Sequence, residues 1–265
     1  MLNEVLQIDL KPLSIALGSL ILILSITVQT FSNNYLEGDG KKGSFSIQLN
    51  LLTFSTLLLI LTNHIWTFFI AWVLSNTLVV SLMIHKSSWK QAYKSGQIAF
   101  SYMCLGFIAL FSGIFITQTQ FDVSLFSKLE SVNQSQELTI FNQPISLVWL
   151  IGFTLLLPAM IQSAQVPFSK WFLSSLNSPT PVSAFMHAGL INGGGILLIK
   201  FFPLINNSQE LMNLIFIIGS ITALSCSASM LVQTKIKNKL ACSTAGQMGF
   251  MFMEIGAGFW GRLSM

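Results

Sequence analysis

The chain has 265 residues, of which 52% are hydrophobic and only 8% are charged, with a formal net charge of +4. Soluble domains carry roughly 25% charged residues, so this composition excludes an ordinary soluble protein. The mean hydropathy of +0.70 indicates that lipid surrounds most of the chain, and lipid offers no partner to unpaired backbone groups. The composition therefore predicts an all-α, polytopic transmembrane helical bundle.

Eight apolar segments are long enough to cross a bilayer, which takes about 17–25 residues. In chain order they are Leu13–Thr30, Phe45–Thr62, Ile65–Ile84, Ile98–Ile116, Ile145–Ile161, Val182–Lys200, Leu211–Leu231 and Leu240–Phe259. We expect residues 1–265 to form a single transmembrane domain, with a polar outer loop over residues 117–144.

The basic residues alternate between the two sides of the predicted membrane. If the connection 85–97 lies inside, most of the 13 basic residues lie inside with it. The inside set is Lys41, Lys42, Lys86, Lys90, Lys94, Lys170, Lys235, Lys237 and Lys239, and the outside set is Lys11, Lys128, Lys200 and Arg262. By the positive-inside rule, both termini are predicted on the periplasmic side of a cell inner membrane. The basic charge then reflects membrane topology and not a nucleic-acid partner.

The fifth segment ends in a polar stretch bounded by two prolines. Gln162, Ser163 and Gln165 lie between Pro158 and Pro167. Proline removes a backbone donor and clashes with the preceding turn, and amides are costly to bury in lipid. The pattern predicts a broken or kinked helix that lines a polar cavity, as is typical of transport sites.

The next helix is predicted to restart at the turn Pro179-Thr180-Pro181, with a proline in its first turn. Inside it lies His187, whose charge can change near neutral pH. Two interpretations stay open: a proton relay, or a neutral histidine that hydrogen-bonds a neighbour and fixes packing. Asn192 follows on the same segment, and Gly193–Gly195 indicate close helix contact and not a nucleotide-binding loop.

The last segment carries the sole acidic residue within the eight segments, Glu254. It shares one helical face with Thr244, Gln247 and Met251. Either Glu254 belongs to an ion path, or its carboxylate reaches the outer interface. Cysteines and histidines show no metal-ligand spacing, so neither a metal site nor another cofactor is predicted in this chain.

Three motifs resemble the antiporter-like subunit family. The first joins Gln162-Ser163-Ala164-Gln165-Val166-Pro167, Trp171, Ser178-Pro179-Thr180-Pro181-Val182-Ser183-Ala184 and His187-Ala188. The second joins Gln233-Thr234, Lys237, Lys239-Leu240-Ala241, Ser243-Thr244 and Gln247-Met248-Gly249, and a weaker third joins Tyr35, Gly38-Asp39 and Phe45. The family includes proton-pumping membrane subunits of respiratory complex I, Mrp-type antiporter subunits and DabB subunits of inorganic-carbon accumulation. The resemblance spans about residues 31–258 and implies one inverted repeat of the family fold plus the start of the second.

The departures from the family pattern favour the DabB type. Complex I members carry a glutamate after the tryptophan where this chain has Trp72-Val73, and a lysine where it has Gln162. Similarity to DabB implies a membrane subunit that conducts protons, with Na⁺ less favoured, for a partner. That partner would be a large, zinc-containing, DabA-like protein that hydrates CO2 to bicarbonate. The chain itself would then not be an enzyme.

Two other functions stay open at this stage. One is a proton-translocating subunit of a complex I-like NADH/quinone or hydrogenase complex, or of an Mrp antiporter. The other is a non-conducting structural remnant, because the resemblance is incomplete at both ends. A fragment, a split gene and a functional short form are all compatible with that length.

Overall fold

The computed structural model describes residues 7–9, 11–85, 89–131, 137–140 and 143–259. Of the topology assignments above, those for Lys86 and Arg262 lie outside these residues. The described chain is dominated by α-helices. They are α1 (Pro12–Tyr35), α2 (Lys42–Leu61), α3 (Ile65–Met83), α4 (Lys90–Phe121), α5 (Leu147–Gln162), α6 (Lys170–Ser174), α7 (Thr180–Ala188), α8 (Gly193–Lys200), α9 (Phe202–Ile205), α10 (Gln209–Val232) and α11 (Ile236–Gly256).

The helices confirm the predicted transmembrane bundle. Six spans are long and apolar enough to cross a membrane: α1, α2, α3, α4, the combined stretch Thr180–Lys200, and α10. The fifth predicted segment forms α5, which is shorter at 16 residues, and the eighth forms α11, which carries more polar residues. The chain is therefore a multi-pass membrane protein.

The sixth predicted segment differs from expectation because it is not one continuous helix. α7 ends at Ala188, a 3-10 turn covers Leu190–Asn192, and α8 begins at Gly193. Glycine lowers helix propensity by about 1 kcal/mol relative to alanine, and this stretch contains four glycines within seven residues, from Gly189 to Gly195. The interruption falls between His187 and Asn192, so these two candidate site residues lie on different helical segments: His187 on α7 and Asn192 at the start of α8.

The long connection after α4 is also more structured than a polar loop. A 3-10 turn, Phe126–Ser131, buries Phe126 and Leu129. Two short antiparallel strands follow, β1 (Glu137–Ile140) and β2 (Gln143–Ser146), with Glu137 opposite Ser146.

The chain divides into two compact units. The first contains residues 1–103 and 171–191, and the second contains residues 104–170 and 192–265. In the first unit, α2 and α3 form a helical hairpin. His64 lies in the turn between them and is the N-cap residue of α3, where its Nδ1 accepts a hydrogen bond from the Thr67 amide at 3.3 Å. α1 packs on α2, where the hydroxyls of Ser25 and Thr53 lie 2.7 Å apart. Both hydroxyls are buried, so they satisfy each other away from water.

The second unit is organised around the long hairpin of α10 and α11. Three glycines bring the two backbones close: an added Cβ on Gly219 would lie 2.6 Å from the Gly249 carbonyl oxygen. Gly249 and Gly256 face the α10 backbone in the same way. α5 and α8 pack together in this unit, and α8 also contacts α11. The fold thus places the end of α5 among helices that approach unusually closely.

Candidate functional site

The candidate site in the second unit is the end of α5. Pro158 lies inside α5, and the helix continues one further turn to Gln162. The chain then turns sharply: the Ala164 amide donates to the Ile161 carbonyl at 3.2 Å, and the Gln165 amide donates to the Met160 carbonyl at 2.9 Å. This pair of bonds is a Schellman motif. It confirms the break predicted between the two prolines and places its start at Gln162.

The residue in the left-handed position of this motif is Ala164, with φ of 50°. Glycine is the usual residue there, because a Cβ crowds the following carbonyl. Ala164 is fully buried. The surrounding packing therefore holds the turn in a conformation that the alanine itself disfavours.

Both predicted amides at this turn are buried, Gln162 with 3% and Gln165 with 0% of its surface exposed. Gln165 Nε2 donates to the Ser163 carbonyl at 3.0 Å, which fixes the orientation of the amide. Within the described residues its oxygen, Oε1, is buried and has no hydrogen-bond partner. A buried acceptor of this kind favours a bound hydrogen-bond donor, such as water or a hydrated proton, or a cation that the oxygen coordinates.

Glycines of α8 let that helix approach the α5 turn. A Cβ on Gly194 would overlap the Ala159 carbonyl oxygen and the Ser163 hydroxyl, and one on Gly193 would lie 3.2 Å from Gln162 Cγ. This confirms the prediction that the glycine run serves close helix contact. Asn192 is half-buried at the N-cap position of α8, next to this contact.

His187 lies in the first unit, in the last turn of α7. Pro179 is the N-cap residue of α7, and Pro181 lies in its first turn, as predicted. The imidazole is half-buried and packs edge-on against the Phe172 ring at a centroid distance of 4.7 Å. Phe172 and Trp171 are themselves buried, so His187 lies against an aromatic wall that limits its movement.

Glu254 lies on α11 and is exposed with respect to the rest of this chain. One turn earlier, Met251 reaches α8, because a Cβ on Gly195 would overlap its sulfur. The predicted face of α11 is thus divided: Met251 packs internally, and Gln247 and Glu254 point away from the described chain.

Sequence reasoning missed two buried polar residues. Asn76 on α3 is 1% exposed; its Nδ2 donates to the Trp72 carbonyl at 2.9 Å, and in the described structure its Oδ1 has no partner. The available signal was that Asn76 is the sole amide in the third segment. Thr222 on α10 is fully buried, and nothing in the local sequence distinguishes it from other threonines in membrane helices.

No cluster of three or more histidine, cysteine, aspartate or glutamate side chains suited to a metal ion occurs within the described ranges. Cys226 and Cys242 are buried and free.

Comparison with known proteins gives one consistent result. Residues 62–265 match the family described as NADH:quinone oxidoreductase/Mrp antiporter, TM. A probable inorganic carbon transporter subunit DabB1 from Halothiobacillus neapolitanus is 31% identical over 248 residues, which is 93% of this chain and 44% of the relative. NADH-ubiquinone oxidoreductase chain 5 from Schizophyllum commune is 32% identical over 241 residues, which is 89% of this chain and 34% of that protein.

The fold has a counterpart among solved structures. The Mrp complex from Dietzia sp. DQ12-45-1b aligns with a TM-score of 0.83 over 95% of this chain, at 22% identity, and the match covers 27% of that chain. The present chain thus spans less than half the length of these proteins.

Proposed function

This chain belongs to the NADH:quinone oxidoreductase/Mrp antiporter transmembrane family, and from that premise we propose that it conducts protons as a subunit of a larger ion-coupled membrane complex. One observation carries the proposal: two buried amides occupy a helix break, and one of them, Gln165, presents a buried acceptor oxygen. Broken helices that expose polar groups inside a membrane protein are typical of ion sites.

The break provides what a hydrated proton needs. Gln165 Oε1 accepts a hydrogen bond from a water molecule, and the amide orientation is held by the Ser163 carbonyl. Pro158 removes one backbone donor inside α5, and Pro167 prevents the helix from continuing. Gln162, and Asn192 at the start of α8, supply further amides that order water in the second unit.

His187 is the proposed proton relay of the first unit. Imidazole both accepts and donates a proton near neutral pH, whereas the amides of Gln162, Gln165 and Asn192 do not titrate. Packing against Phe172 holds the ring in place. Glu254 is retained as a further ion-path candidate, because a carboxylate that points away from its own chain needs another protein chain or water as its neighbour.

We propose a partner of the DabA type, a large zinc-containing protein in which proton entry drives CO2 hydration. Two observations support a DabA-type partner. Val73 and Gln162 are uncharged where complex I members carry a glutamate and a lysine, and relatives from several bacteria are probable inorganic carbon transporter subunits. The chain would then lie in a cell inner membrane, with both termini on the periplasmic side, and would not be an enzyme by itself.

A complex I-like or Mrp-type assembly is the second candidate. Its support is the 32% identity to NADH-ubiquinone oxidoreductase chain 5.

Purification of the tagged chain from native membranes in mild detergent, followed by mass spectrometry, distinguishes the two candidate functions. Co-purification of a zinc protein related to carbonic anhydrases supports the carbon-uptake assignment, and co-purification of quinone-reducing or Mrp subunits overturns it.

Proton flux tests the role of the break. The complex that co-purifies with the chain is reconstituted in liposomes containing a pH-sensitive dye, and a K⁺ diffusion potential drives proton entry. Gln165→Leu removes the acceptor at similar volume and is expected to lower the flux about tenfold or more, as for loss of a buried hydrogen-bonding group. Gln97→Leu, an exposed glutamine of α4, is the matched control and keeps the flux. Equal flux in Gln165→Leu and the control would remove the break from the path.

A further inference from the structure

We propose that Thr222 of α10 is a positioning residue, whose hydroxyl clamps the backbone of the α5 break and thereby aims the amide oxygen of Gln165. The structural part of this inference stands on the hydrogen bonds of the turn. Its functional consequence rests on the proposed proton conduction.

The backbone donors of the turn are fully assigned. Ser163, Ala164 and Gln165 donate back to carbonyls of α5, and Phe168 donates to the Gln165 carbonyl at 2.6 Å. Pro167 has no N–H. The amide of Val166 alone leaves this local set: it donates to Thr222 Oγ1 at 3.0 Å, 56 positions along the chain.

This bond fixes the peptide unit that joins Gln165 to Val166. Its N–H is held by Thr222, and its carbonyl accepts from Phe168. With both polar ends bound, the peptide plane cannot rotate without losing a buried hydrogen bond. The Gln165 side chain is tied to the Ser163 carbonyl, so the direction of Oε1 follows from the two restraints together.

Thr222 is itself held rigidly. It is fully buried, and its hydroxyl donates to the Ile218 carbonyl at 2.9 Å, which leaves a lone pair directed at Val166. β-branching restricts its χ1 rotamers in a helix. The neighbouring Ala223 lies against Gly249 of α11, where an added Cβ would be 2.6 Å from the Ala223 nitrogen. The clamp is therefore anchored to the closely packed α10–α11 hairpin.

Amide hydrogen exchange tests the clamp without any assumption about transport. With this chain in lipid nanodiscs, Thr222→Val removes the acceptor and is expected to speed exchange of the peptide containing residues 163–168 by about tenfold. Thr222→Ser restores the hydroxyl and keeps the protection of the natural protein. Thr119→Val, an exposed threonine of α4 that bonds only to carbonyls of its own helix, is the matched control and leaves exchange at residues 163–168 unchanged. Thr222→Ala removes the hydroxyl without the second methyl and gives the same answer if the valine variant does not accumulate.

Proton flux in the reconstituted complex tests the consequence. Thr222→Val is expected to lower flux about as much as Gln165→Leu, and Thr222→Ser to recover it. Unchanged exchange in both Thr222→Val and Thr222→Ala would overturn the clamp. Faster exchange with full flux would overturn the aiming of Gln165, provided that Gln165→Leu is inactive. Absence of flux in the natural protein would contradict the proposed function, whereas the exchange result would still decide the clamp.

Discussion

Asp39 and His85 join two connections of the first unit: Asp39 Oδ2 lies 3.2 Å from His85 Nε2. The other carboxylate oxygen of Asp39 accepts from the Lys41 amide at 2.8 Å, just before α2 begins. His85 follows α3 and packs edge-on against Phe45 at 4.9 Å. The carboxylate thus ties the start of α2 to the end of α3.

We expect Asp39→Ala to lower the free energy of unfolding by about 1 kcal/mol, because it removes both bonds and the aspartate is only partly exposed. Asp39→Asn keeps an acceptor for the Lys41 amide and is expected to cost less. Thermal unfolding in detergent measures both. Glu37→Ala, an exposed acid in the same connection, is the control, and an equal loss there would refute a specific role for Asp39.

The α10–α11 contact predicts a sharp contrast between two glycines of α11. Gly249→Ala would place a Cβ 2.6 Å from the Ala223 nitrogen, and backbone cannot move aside as a side chain can. We expect a loss of about 1–3 kcal/mol, typical of overpacking. Gly246→Ala meets nothing closer than Cys226 Cβ at 3.7 Å and is expected to be neutral or slightly stabilising. Similar melting temperatures for the two variants would show that the helices are not in this close contact.

At Ala164 we expect substitution by glycine to cost far less stability than the same substitution inside a helix. Its φ of 50° favours glycine, so Ala164→Gly is expected to change the free energy of unfolding by no more than about 0.5 kcal/mol, the strain relieved offsetting the lost methyl. Ala245→Gly, in the interior of α11, is expected to cost about 1 kcal/mol or more. The same unfolding assay compares them. A larger loss at Ala164 than at Ala245 would contradict the left-handed turn.

Much of the fold could be predicted from sequence because membrane helices follow from local hydropathy. All eight predicted segments contain helices, and the prolines located the α5 break to within one turn. The helix continued past Pro158 because one missing hydrogen bond is tolerated inside a packed membrane helix. The interruption at Gly189 was missed because the glycine run was interpreted as packing alone.

The site was less predictable because its decisive contacts join distant residues. Gln162, Gln165 and His187 are polar residues within or next to apolar segments, so the local sequence is enough to identify them as candidates. The bond from Val166 to Thr222 spans 56 positions, and a threonine that bonds its own helix looks the same in sequence as one that clamps a neighbour. Asn76 is likewise an isolated amide in an apolar segment, so its burial was predictable on the same ground.

The most direct test of proton conduction compares two histidines by the same substitution. In liposomes containing the reconstituted complex, driven by a K⁺ diffusion potential, we expect the natural protein to acidify the interior and His187→Asn to reduce the initial rate by at least about tenfold, a typical contribution of a positioned proton-transfer group. His64→Asn keeps a favourable N-cap for α3 and is expected to retain the natural rate. Equal rates for His187→Asn and His64→Asn, or no flux in the natural protein, would contradict the relay.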